Sequence, residues 1–169
     1  MAGGQSKRMG RDKSQLRLRE RTLLGQIRFT AKKIGCPVRI IRRDFIPSCG
    51  PLGGLHVALK TTRAEAILFL ACDMPFVAAA FLKRILRQFS KKNNALFTAT
   101  DSGAGFPFLL RRSVLAVVEK QLAEKNLSMQ SLAQKLEAKF ISPSRAEAAG
   151  LLNINTPGDW KKAQQQSAL

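Results

Sequence analysis

The chain has 169 residues, of which 29 are Lys or Arg and 11 are Asp or Glu, so its formal net charge is +18; 45% of it is hydrophobic and it holds a single histidine. That apolar share is ample for one packed domain, expected over residues 1–165 with a short tail at 166–169. No run approaches the roughly 20 apolar residues that cross a bilayer and no apolar leader is visible, so a cytoplasmic protein is expected. With His56 alone, a cluster of several metal-binding histidines is excluded and a histidine-based triad is almost excluded. Cys36, Cys49 and Cys72 are odd in number and widely spaced, which suits reduced thiols.

Taken in chain order, the first element is a loop, "AGGQSKRMGRDK", in which Gly3 and Gly4 lack a Cβ and allow close approach of backbone N–H groups to an anion. Lys7, Arg8, Arg11 and Lys13 add charge that can face a polyphosphate. Apolar residues at helical spacing predict a helix over 22–34, stopped by Gly35 and Pro37. A strand at "CPVRIIRRD" (36–44) comes next, then a turn through "IPSCGPLGG" and a helix from about Leu55 to Thr62. "EAILFLA" reads as a strand buried on both faces, ending near Asp73. Beyond it come a helix over 78–89, a strand "ALFTAT", a turn "DSGAG" and an apolar stretch "FPFLL" able to pair with its predecessor. Helical spacing resumes over 114–122 and 128–136, with Ser128 placed as a cap. The alternation predicts a three-layer α/β domain with an open, mostly parallel, Rossmann-like sheet, which binds ligands beyond the carboxyl ends of its strands.

Asp73 then stands at the mouth of the sheet, where a carboxylate can hold Mg²⁺ while phosphate oxygens complete the coordination. A loop-capping aspartate is the alternative. Asp44 repeats the situation at the end of its own strand, ahead of "GPLGG", whose glycines permit approach of a flat base or ribose but also suit a plain tight turn. The charge balance favours polyanionic partners, and thirteen of the Lys and Arg fall within residues 1–43 beside only Asp12 and Glu20.

Four blocks, in order, resemble the molybdenum cofactor guanylyltransferases, relatives of the sugar-phosphate nucleotidylyltransferases: "AGGQSKRMGRDK", "RRDFIPSCGPLGGL", "CDMPF" and "NINTPGD". The resemblance spans nearly the whole chain and implies GTP and molybdopterin, a pterin phosphate, as substrates with Mg²⁺ as cofactor. It implies Ala2, Gly3, Gly4 and Arg8 around the triphosphate and Lys13 neutralising charge as pyrophosphate departs. It further implies Asp44 and Gly50 near the nucleoside, Asp73 on Mg²⁺, and Asn155 positioning metal or acceptor, with Lys7 and Arg11 as accessory cations. A molybdoenzyme or its chaperone is a further possible partner.

Two departures accompany the resemblance. Family members carry a short apolar strand before the glycine loop, whereas Met1 lies within that loop, so a central sheet position between "CPVRII" and "AILFLA" is expected to be unfilled. Phe106 stands where relatives often place a histidine near the pterin. Other readings are a cytidylyl- or sugar-phosphate nucleotidylyltransferase, an inactive paralogue that binds a molybdoenzyme or chaperone, and a basic nonenzymatic nucleic-acid binder. The last lacks an interleaved aromatic platform or a helix-turn-helix signature, so nucleic acid is not the expected partner.

Overall fold

A computed structural model describes residues 16–41 and 49–168. A tight hairpin, β1 (Arg17–Leu18) and β2 (Arg21–Thr22), leads into α1 (Leu23–Lys32), and Thr22 caps that helix by accepting the Gly25 amide at 3.0 Å. Leu23, Leu24, Ile27 and Ala31 form its buried stripe. Gly35, at φ +76, then reverses the chain in a conformation that a side chain would strain.

The remaining elements are α2 (Gly50–Thr61), β3 (Ala66–Phe69), α3 (Ala79–Gln88), β4 (Ala95–Thr100), β5 (Gly103–Arg111), α4 (Leu115–Ala123), α5 (Met129–Lys135), β6 (Lys139–Ile141), α6 (Arg145–Ala149) and α7 (Pro157–Ala168). The main sheet runs β3-β5-β4-β6, in which β5 is antiparallel to both neighbours and β4 is parallel to β6. Three strands therefore share one direction, and the fourth, β5, returns between β3 and β4. The expected "FPFLL" pairing is present, because the turn at 101–102 closes a β4–β5 hairpin from Thr100↔Gly103 to Ala95↔Leu110.

Alternation of side chains along the strands builds two cores, one on each face. Phe69, Phe97, Phe108 and Leu110 point to α2, α4 and α5. On the other face Leu68, Leu96, Leu109 and Ile141 meet Phe81 and Ile85 of α3, while Ile27 of α1 packs beside α3 through Leu82. The result is the expected three-layer α/β arrangement.

Two expectations are corrected. Residues 36–41 join no strand ladder, and Val38 is 41% exposed, so "CPVRII" is not a buried strand. An apolar strand stays ordered through its ladder, and among the described residues none pairs with this segment or with the second edge of β3. The helix placed from Leu55 begins five residues earlier, at Gly50, so "GPLGG" is a helical first turn rather than a tight turn. Gly50 takes φ +53 and Pro51 supplies a pre-set φ at the helix start, while Gly53 and Gly54 are buried.

Candidate active site

Beyond the carboxyl end of β3 the chain turns at Cys72–Asp73, with Asp73 half-buried and Met74 and Pro75 buried behind it. Met74 and Val77 pack against Ile27 of α1 and Leu82 of α3, which fixes the turn from below. From the other side the Ile154 amide donates to the Asp73 carbonyl at 2.9 Å. Ile154 is fully buried in a cluster with Leu18, Leu23 and Ala163, against which Phe76 and Trp160 pack. Two segments more than 80 residues apart in sequence are thus tied together at the mouth of the sheet, and Asn155, exposed, comes directly after.

The 155 loop is held by the start of α7. The carboxylate of Asp159 accepts the amides of Asn155 at 3.0 Å and Thr156 at 2.8 Å and the Thr156 hydroxyl at 2.9 Å, while the Asp159 amide donates back to that hydroxyl at 3.1 Å. The Thr156 hydroxyl first, then these amides, hold the Asp159 carboxyl below its ordinary value of 3.8, against a small opposing effect of burial. Gly150 sits just before this loop, where a Cβ would come within 2.7 Å of the Phe76 carbonyl oxygen, so only glycine lets α6 approach the Asp73 turn this closely.

Gly50 opens α2, whose buried face lies on the sheet. A short link at 62–65 turns the chain from α2 back along β3, so the N-terminus of α2 lies toward the same carboxyl end as Asp73. The register Phe69↔Phe108 carries β5 past the end of β3, and Phe106, like Leu70 and Ala71, packs against the cluster of Ile27, Met74, Val77 and Leu82. Its ring lies 4.7 Å from Phe108, tilted by 50°. Phe106, where relatives often place a histidine, is therefore packed beside the core at the end of the sheet that carries Asp73.

Of the residues predicted to form the site, Asp73 and Asn155 are brought together and Gly50 shares their end of the sheet. Ala2, Gly3, Gly4, Arg8, Lys13 and Asp44, with Lys7 and Arg11, lie outside the described residues. Sequence reasoning missed Ile154 and Asp159 as organisers of the loop. Asp159 had a signal, since Thr156-Pro157-Gly158-Asp159 spells a capping box with proline in the first helical turn. Ile154 acts through its backbone, which no side-chain pattern announces. The lone histidine plays no part here: His56 Nε2 lies 3.2 Å from Glu119 in a contact between α2 and α4. The three cysteines form no disulfide. Surface hollows of about 450 and 410 Å³ lie elsewhere, beside Lys120 and Lys135 and beside Lys83 and Arg87.

Among the described residues no three His, Cys, Asp or Glu side chains gather into a metal cluster. Among the described residues the predicted donor at the sheet mouth is the Asp73 carboxylate, a ligand type suited to a hard cation that completes its shell with water and phosphate oxygens. No described helix is long and apolar enough to cross a membrane.

Residues 1–139 match the MobA-like NTP transferase domain. The chain is 30% identical to the probable molybdenum cofactor guanylyltransferase of Opitutus terrae, over 99% of this chain and 94% of that one. It is 30% identical to the molybdenum cofactor guanylyltransferase of Syntrophotalea carbinolica over 98% of this chain and 89% of that one. Its fold superposes on the crystal structure of the molybdopterin-guanine dinucleotide biosynthesis protein A of Archaeoglobus fulgidus with a TM-score of 0.80, covering 99% and 96% of the two chains at 20% identity.

Proposed function

The chain belongs to the MobA-like NTP transferase family, and on that footing we propose how it works: it transfers GMP from GTP to the terminal phosphate of molybdenum-molybdopterin. A phosphate oxygen of the acceptor attacks the α-phosphorus of GTP, the new phosphoanhydride forms, and the bond to the β-phosphate breaks to release pyrophosphate. The acceptor phosphate is already an anion, so no amino-acid base or nucleophile is required. Positioning and charge neutralisation do the catalysis. The observation that carries the reading is the bond from Ile154 to Asp73, which joins two of the four family-like blocks at the carboxyl end of the sheet.

In this reading the amides around Gly3 and Gly4, with Ala2 and Arg8, cradle the triphosphate, and Lys13 offsets charge on departing pyrophosphate. Asp44 and Gly50 border the nucleoside. Asp73 would hold Mg²⁺, which when bound would offset phosphate charge. Asn155 would position the metal or the acceptor, and Phe106 would offer a flat apolar face to the pterin. A nucleoside triphosphate substrate fits a cytoplasmic protein.

The test is a product assay. The protein is incubated separately with GTP, CTP and ATP, Mg²⁺ and molybdopterin, and products are identified by mass. A guanine dinucleotide formed from GTP in clear excess is the expected result; a cytosine product in excess, or none from any nucleotide, overturns the reading.

A further inference from the structure

The hairpin and α1 have two unlike sides. Their inner side packs on both site loops: Leu18 and Leu23 lie against Ile154, and Ile27 lies against Met74 and Val77. Their outer side carries Arg17, Arg19, Arg21, Arg28, Lys32 and Lys33, all exposed, with Glu20 as the one acid among residues 16–41. The ion pairs among the described residues are Arg84–Glu147, Arg111–Glu65 and Lys135–Glu124, with a His56–Glu119 hydrogen bond besides, and none involves this side. In its midst Phe29 is 38% exposed, with the Arg21 guanidinium 3.9 Å and the Lys33 ammonium 4.3 Å from its ring centre. A half-exposed aromatic ring flanked by held cations has the make-up of an interface anchor, an apolar centre with charge at its rim.

We propose that this outer side of the hairpin and α1 is a docking surface for an acidic protein that exchanges acceptor or product with the neighbouring site. The inference rests on the preceding reading in one respect: the product is a cofactor, so its consumer is a protein. Arginine forks match carboxylates in pairs, and the contacts with Phe29 restrain Arg21 and Lys33 before a partner arrives. A nucleic acid fits less well. The Phe29 ring is engaged by cations rather than open for a base to stack on, and the surface is the outside of a helix and a short hairpin rather than a groove that tracks a phosphate backbone.

The experiment measures binding, not catalysis, so it stands or fails apart from the reaction assigned above. The full chain is titrated into a fluorescent, glutamate-rich peptide with interspersed leucines, about 20 residues long, the size of one side of a standard interface. Single-stranded DNA of equal charge is titrated in parallel at about 50 to 200 mM salt. Arg28→Glu with Lys32→Glu should weaken peptide binding at least about tenfold. Lys91→Glu with Lys92→Glu, an equal charge change on the exposed turn before β4, should change it less than about twofold. Phe29→Ala should weaken the leucine-bearing peptide more than an all-glutamate one. If the glutamate pair disturbs folding, Arg28→Gln with Lys32→Gln gives the same comparison with a smaller loss. Equal losses from the two charge changes, or no peptide binding by the unaltered protein, overturn the proposal. Tighter binding of the DNA, lost in the same variant, replaces the acidic protein by nucleic acid. Transfer between free substrates should be unchanged in Arg28→Glu with Lys32→Glu, and its loss would assign the surface to substrate binding instead.

Discussion

Strands β3 and β5 lie side by side over four paired residues, yet they serve opposite ends. β5 is laddered on both edges and runs nine residues through the middle of the sheet. Its Phe108 is fully buried between Phe69, at 5.1 Å between ring centres, and Phe97, at 4.7 Å. Even its polar groups are satisfied, since the buried Thr98 hydroxyl of the partner strand donates to the Pro107 carbonyl at 2.5 Å. β3 is four residues long and, among the described residues, pairs on one edge only. Its contribution is the turn beyond its carboxyl end, where the backbone of the half-buried Asp73 is bonded to a distant loop. Stability is concentrated in the strand that completes its ladders, and the proposed chemistry lies beyond the end of the strand that, among the described residues, pairs on one edge only.

That division makes the effects of two substitutions unlike in kind. Phe108→Ala removes a ring from the centre of the aromatic file and should cost ~3–5 kcal/mol, as large-to-small changes of buried aromatics do. For a chain of this size the melting temperature should fall by about 10 °C or more. A fall under about 3 °C in a thermal melt would place the stabilising centre elsewhere. Asp73→Asn keeps the volume and removes the charge. Transfer should drop at least about 100-fold, equivalent to ~2.7 kcal/mol of barrier, with the melting temperature within about 2 °C of the parent. Transfer within twofold of the parent at saturating Mg²⁺ would mean that Asp73 has no metal role, and a large loss of stability would make it structural.

The same contrast explains how much the sequence disclosed. Helices declared themselves where burial and capping agree, as at Thr22 with Leu23 and Ile27, or at Ser128, whose hydroxyl accepts the Ser131 amide at 3.1 Å. The β4–β5 hairpin was legible from two apolar runs around a glycine-rich turn. The two-residue strands β1 and β2 and the three-residue β6 are too short for any periodicity to show. "CPVRII" misled because its composition is that of a strand, and composition does not reveal whether an edge is there to receive it. The antiparallel course of β5 inside a sheet expected to be mostly parallel comes from its hairpin with β4, a local device that overrides the alternation of strands and helices. At the site, residue type and strand ends singled out Asp73 and Asn155. The link between them is a backbone bond from Ile154, invisible in side-chain patterns.

The smallest effect expected at the site comes from Asp159, which touches no reacting atom and acts by holding the loop that carries Asn155. Its carboxylate gathers three hydrogen bonds at the first turn of α7, where the helix also favours negative charge. Asp159→Asn keeps an oxygen acceptor but loses the charge, and the melting temperature at neutral pH should fall by about 2–4 °C, the scale of one lost helix cap. The pH dependence has a definite sign. The folded carboxyl titrates below its ordinary value of 3.8, so its contribution is complete above that value and is lost as pH falls through the lower, folded one. The gap between parent and variant should therefore be constant from neutral pH down to about pH 5 and close in stronger acid. Melting curves of both proteins across that range decide the matter: a gap that persists once the carboxyl is protonated, or none at neutral pH, would show that the loop is held by its backbone and the burial of Ile154 without help from the charge.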